Sequence, residues 1–130
     1  MSNEIVRHNS IPGLASAIGP YSTCVENNGL IFISGQIGIS PATASLVSDN
    51  VGDQTIQILE NISTIFSHLR VSALNTLKTT IFLTEMSYFK EVNTLYAEFF
   101  EGCFPARSTV AVSELPLGAK IEIEFVISAG

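Results

Sequence analysis

The spacing of apolar residues changes period several times along this chain, and each change marks a predicted element. Thr23 to Glu26 and Leu30-Ile31-Phe32-Ile33-Ser34 flank Asn27-Asn28-Gly29. Asn-Gly tolerates the positive φ angles of a tight type I′ turn, so the stretch predicts a β-hairpin. Four consecutive apolar residues after the turn predict a strand buried on both faces. Pro41 to Ser48 is rich in turn formers and predicts a loop or a short edge strand. From about Gly52 to Leu69, apolar residues recur at Ile58, Leu59, Ile62, Ile65, Phe66 and Leu69. Steps of three and four make an amphipathic helix with one core-facing stripe, and Asn50 or Asp53 stands where a cap is needed. Leu77 to Leu83 predicts a strand. Phe89, Val92, Tyr96, Phe99 and Phe100 predict a second helix, with Ser87 as its N-cap and Pro105 beyond its end. Arg107 to Val112 and Ile121 to Ile127 predict two last strands, joined by a turn around Leu115-Pro116-Leu117-Gly118.

Hairpin, helix, strand, helix and two strands describe an α+β domain with both helices on one sheet face. No linker or repeat interrupts the order, so residues 1–130 read as a single domain. Alternation puts Ile121, Ile123, Phe125 and Ile127 on one face of the last strand, and Glu122, Glu124 and Val126 on the other. On the preceding strand Arg107, Thr109 and Ala111 share a face. Arg107 lies near Glu122 if those two strands are neighbours.

Composition narrows the function classes. With 46% hydrophobic and 14% charged residues the chain is too apolar for disorder, and lean enough in charge to expect a covered surface. A net charge of −6 with scattered cations disfavours nucleic-acid binding. Cys24 and Cys103 form no disulfide framework, and no CxxC pair or His cluster suggests a metal. The N-terminus lacks a secretory pattern and no apolar run spans a bilayer, so a soluble cytoplasmic protein is expected, with an organelle not excluded. Asn61-Ile62-Ser63 matches a glycosylation sequon inside a predicted helix and reads as chance.

The chain carries three arginines, and Arg107 follows a rigid Pro105-Ala106 step. A guanidinium is a planar fork suited to a carboxylate, so Arg107 is either an anchor for an anionic substrate or half of an ion pair with Glu122 or Glu124. Glu122 is either an outward strand residue or a carboxylate that deprotonates a water. Cys24, Cys103, His8 and His68 form no Cys/His arrangement and read as small core cysteines and solvated histidines. Ser34-Gly35-Gln36-Ile37-Gly38 is no phosphate loop, but Gly35 permits close approach of a ligand to the backbone. Tyr21, in Gly19-Pro20-Tyr21-Ser22, offers a ring or hydroxyl to the same cleft, or an interface aromatic.

Four stretches together resemble the RidA/YjgF family, also called the endoribonuclease L-PSP or reactive-intermediate deaminase family. They are Ala17-Ile18-Gly19-Pro20-Tyr21-Ser22, Ser34-Gly35-Gln36-Ile37, Val92-Asn93-Thr94-Leu95-Tyr96 and the block from Pro105-Ala106-Arg107 to Glu124. The resemblance implies a chorismate-mutase-like α+β fold, assembled as a homotrimer around a central barrel with clefts between neighbouring subunits. It implies hydrolysis of 2-imino acids, the tautomers of enamines such as 2-aminoacrylate, to 2-keto acids and ammonia, without metal or cofactor. Arg107 would clamp the substrate carboxylate and Glu122 would position water. Tyr21, the backbone of Gly35 and Thr109, and Asn93 would complete the substrate pocket. Lys120 is given no part in the chemistry. Three positions depart from the family pattern: Thr109 stands where some members have cysteine, Ala44 replaces a glycine, and Phe125 is bulkier than usual. Ribonuclease or translation-inhibitor activity, and ligand binding without catalysis, are the alternatives that relatives supply.

Overall fold

The computed structural model describes residues 4–130. Its elements are β1 (Val6–His8), β2 (Cys24–Asn27), β3 (Leu30–Gln36), β4 (Ile39–Ser40), β5 (Ser45–Leu46), α1 (Val51–Leu69), β6 (Thr76–Leu83), α2 (Phe89–Phe100), β7 (Ala106–Ala111) and β8 (Ile121–Ser128). Six strands form one sheet in the order β1-β2-β3-β8-β6-β7, while β4 and β5 make a separate small hairpin. Only β6 and β7 pair in parallel, with α2 as their crossover; every other pairing is antiparallel. The fold is the α+β class expected, with both helices over one sheet face.

Local chemistry explains most boundaries. Asn28 and Gly29 take φ values of 52° and 79°, as a type I′ hairpin turn between β2 and β3 demands. Asn50 caps α1, its Oδ1 accepting from the Asp53 amide at 2.9 Å. The helix stops at Arg70, where φ is 58°. Ser87 does not cap α2: a short 3-10 turn at Met86–Tyr88 absorbs it, and Tyr88 precedes the helix without a side-chain cap.

The core lies between the helices and the sheet. Ile58, Ile62 and Ile65 of α1 meet the inward row Ile121, Ile123, Phe125 and Ile127 of β8, all nearly inaccessible. Phe66 packs edge-on against Phe125 at 6.3 Å. Burying such aliphatic side chains contributes about 1.5–3 kcal/mol each. Gln54 of α1 is also fully buried, and both ends of its amide are engaged. Its Nε2 donates to Ser48 O and its Oε1 accepts from Lys120 N, each at 2.9 Å. That bond fixes the entry to β8 two residues before Glu122.

The condition for Arg107 to lie near Glu122 is not met: Arg107 to Val112 and Ile121 to Ile127 are not neighbouring strands, because β6 lies between β7 and β8. Nor is the strand after the hairpin buried on both sides: Ile31 and Ile33 face the core, whereas Leu30 and Phe32 are exposed, Phe32 by 48%. The sheet face away from the helices is therefore partly apolar and bare within one chain.

Candidate active site

Glu122 leaves the sheet on that bare face. It borders a hollow lined by Ile18, Tyr21, Gly35, Ile37, Pro116 and Glu124. A bulge in the pairing of β3 with β8, between Ile33 and Gln36, turns the Gly35 backbone toward the carboxylate. A methyl group on Gly35 would lie 2.6 Å from Glu122 Cδ, so any larger residue would push the Glu122 carboxylate from its place. Burial, and then the neighbouring Glu124 carboxylate, hold the Glu122 carboxyl above the ordinary glutamate range. Among the described residues Glu122 makes no hydrogen bond or ion pair, which leaves its oxygens available as acceptors. Tyr21, half exposed at the rim, is held in a tight turn where its amide donates to Gly19 O at 2.9 Å.

Arg107 occupies the other face. It sits beside Thr79 and, across β6, in register with Phe125 of the core row, whereas Glu122 aligns with Phe82 on the alternate face. Helix α2 builds its seat. Arg107 Nη1 donates to Asn93 Oδ1 at 2.8 Å, and the guanidinium lies 5.0 Å from the Tyr96 ring centre and 5.4 Å from that of Phe89. Tyr96 is itself pinned by a 2.6 Å hydrogen bond with Thr79. Burial raises the Tyr96 phenol, while the bond to Thr79 and the charge of Arg107 pull the other way. No carboxylate of the described residues pairs with Arg107, which removes the ion-pair reading of this residue within one chain. Thr109, two residues along β7 on the same face, has a buried hydroxyl without a hydrogen-bond partner among the described residues.

The candidate residues thus divide into two groups. Tyr21, Gly35 and Glu122 come together on one side, and Asn93, Arg107 and Thr109 on the other. Within a single chain Arg107 does not reach Glu122. Sequence reading missed Phe89 and Tyr96 as the guanidinium's aromatic walls, because their helical spacing reads as core. It also missed the Gln54 staple, for which a polar residue inside an apolar stripe was the available signal.

The cysteines and histidines set aside stay outside both groups, though Cys103 is exposed rather than part of the core. Burial, with Glu26 adding to it, pushes the Cys24 thiol up to about 12, leaving it protonated and unreactive. His8 Nε2 lies 2.6 Å from Glu26 Oε2, and its ring meets His68 edge-on at 5.5 Å. Asn61 is buried, donating to Ile39 O and accepting from Gln57, so the sequon is closed. No helix among the described residues is long and apolar enough to cross a membrane.

The family model described as Endoribonuclease L-PSP matches residues 13–129. The human protein named 2-iminobutanoate/2-iminopropanoate deaminase is 40% identical over the whole chain and 95% of its own length. The Arabidopsis thaliana protein named Reactive Intermediate Deaminase A, chloroplastic, is 42% identical over 97% of the chain, which spans 66% of that longer protein. Among solved structures, a Rid-family protein from Yersinia pestis superposes with a TM-score of 0.91 at 41% identity, covering 96% of this chain and 99% of its own. TdcF from E. coli, solved with bound serine, gives 0.87 at 32% identity, covering 95% and 98%. The chain belongs to the RidA/YjgF family described as Endoribonuclease L-PSP.

Proposed function

We propose that this protein hydrolyses 2-imino acids to 2-keto acids and ammonia. The observation that carries the reading is Glu122: a half-buried carboxylate, unpaired, held against a glycine backbone beside a hollow of ligand size. A protonated imine carbon is already electrophilic and needs a positioned water and a base rather than a powerful catalyst. Glu122 takes a proton as water oxygen bonds to the imine carbon. The C–N bond of the resulting carbinolamine breaks as Glu122 returns that proton to the departing nitrogen and takes the hydroxyl proton, leaving the 2-keto acid and ammonia, which then picks up the proton from Glu122 as ammonium. Arg107 grips the substrate carboxylate through the donors that Asn93 does not use. Thr109 and the Gly35 backbone supply further polar contacts, and Tyr21 covers the substrate. The relatives named as deaminases support the activity, and the small ligand in TdcF supports a site of this size.

The site requires assembly. Arg107 and Glu122 sit on opposite faces of one sheet, and in this reading each cleft takes them from different copies of the chain. A homotrimer with clefts between subunits meets that demand, and the exposed Phe32 and Val110 on the bare face are suited to burial within it. Ribonuclease action fits less well: Glu122 and Glu124 at the hollow repel a phosphodiester.

The test couples the protein to an enzyme that releases 2-iminopropanoate and follows keto-acid formation. Wild type accelerates release. Glu122→Gln lowers turnover by about a hundredfold or more, the usual contribution of a general base. Arg107→Ala lowers kcat/KM by about ten- to a hundredfold, matching a charged hydrogen bond of about 1.5–3 kcal/mol. No acceleration by folded wild-type protein would overturn the reading.

A further inference from the structure

Thr79 belongs to the core-facing row of β6, with Ile81 and Leu83, and is fully buried. Valine would fill the same space, so the hydroxyl answers no packing need, and burying it carries a cost. Among the described residues that hydroxyl meets one partner, the Tyr96 phenol oxygen at 2.6 Å. In the sheet Thr79 is the register partner of Arg107, so the residue that ties the ring lies beside the residue that leans on it. We propose that Thr79 is a positioning residue for Arg107: by holding the Tyr96 ring still, it keeps the guanidinium aimed at a substrate carboxylate. The proposal rests on the imine-hydrolase reading, in which Arg107 grips that carboxylate, and adds what keeps the grip in line.

Three observations carry it. First, Phe89, Asn93 and Tyr96 are spaced by four and three residues, which puts them on one face of α2. Second, Phe89 and Tyr96 stand two turns apart, about 10 Å along the helix axis. The guanidinium carbon lies 5.4 Å and 5.0 Å from their ring centres, and so sits between the two rings. Asn93, between them on the helix, accepts from Nη1 at 2.8 Å. Third, the two rings are fixed to different degrees. Phe89 is 38% exposed and has no polar handle. Tyr96 is buried, packs on Phe100 with 4.7 Å between ring centres, and is tied at its hydroxyl. The buried ring is the fixed wall of the seat, and its side-chain hydrogen bond to the sheet runs through Thr79. A guanidinium that must meet a carboxylate edge to edge gains from a wall whose angle is locked.

Two substitutions at Thr79 pull the hydroxyl and the packing apart. Thr79→Val keeps the shape and loses the hydroxyl, whereas Thr79→Ser keeps the hydroxyl and loses a buried methyl. The probe is pyruvate, the keto acid that 2-iminopropanoate yields, with its Kd read by NMR titration of wild type and each variant. Thr79→Val should weaken pyruvate by about three- to tenfold, the worth of one hydrogen bond, and Thr79→Ser should stay within about twofold of wild type. With the imine as substrate, the loss in Thr79→Val should fall on KM more than on kcat. Tyr96→Phe removes the other hydroxyl and keeps the ring, so it should repeat Thr79→Val, and it decides the matter if valine is not tolerated. Serine worse than valine, or wild-type affinity in Thr79→Val or Tyr96→Phe, overturns the proposal and leaves Thr79 a packing residue. Pyruvate binding needs no turnover, so the result stands apart from whether the imine is hydrolysed. Wild-type affinity in Arg107→Ala would sink the carboxylate clamp itself, and the aim of the seat with it. A loss in Arg107→Ala without one in Thr79→Val sinks the positioning role alone.

Discussion

Glu122 and Glu124 are two residues apart on one strand and share its open face, so each carboxylate feels the other. Burial of Glu122 comes first in raising its carboxyl and the charge of Glu124 second. A base works only when deprotonated, so the acid limb of the pH–rate profile should lie above the pH at which a free glutamate titrates. The sign of the Glu124 effect follows. Removing that negative charge makes ionisation of Glu122 easier and lowers its pKa. Glu124→Gln should therefore move the acid limb toward lower pH, read from kcat/KM across pH at constant ionic strength. A limb that stays in place would mean that burial alone sets the base. Asn93 and Tyr96 act at the same scale on the other half, holding the guanidinium by a hydrogen bond and a ring face.

Among the elements, the β4–β5 hairpin carries a conformational cost. Ala44 sits in its turn with φ at 57°, a left-handed conformation that an L side chain adopts at about 1–2 kcal/mol. Ala44→Gly should raise stability, offset in part by the added freedom of the unfolded chain, for a net gain of about 0.5–1 kcal/mol. A shift of the urea midpoint at fixed protein concentration checks it. What was legible in the chain follows the range of the forces involved. The α1 stripe, the Asn50 cap and the Asn28-Gly29 turn are local, and the sequence pattern finds them. Strand order is not local: the insertion of β6 between β7 and β8 depends on a parallel crossover that alternation within each strand cannot reveal. β1 is three residues long and too short to show a period. Arg107 and Glu122 could be nominated from residue chemistry, yet their choice over equally plausible readings came from the family resemblance. Their separation onto opposite faces emerged only with the register.

The whole molecule turns on that separation. If each cleft combines Arg107 from one subunit with Glu122 from the next, two inactive variants can repair one another. Arg107→Ala and Glu122→Gln, unfolded together and refolded at equal amounts, should recover about a quarter of wild-type activity, the chance that random co-assembly sets an intact arginine opposite an intact glutamate. Recovery confined to the sum of the two separate residual rates would mean that each site is built within one chain. If assembly covers the face where Phe32 and Val110 lie exposed, a free chain should be less soluble than its oligomer. The distribution of aromatics has an optical consequence. The chain has no tryptophan and three tyrosines, and two of these, Tyr21 and Tyr96, belong to the two halves of the site. Their ultraviolet emission has no indole to drain it. If a ligand bridges the proposed cleft, it should touch one phenol and perturb the arginine stacked on the other, so tyrosine emission of the unlabelled protein should then report occupancy.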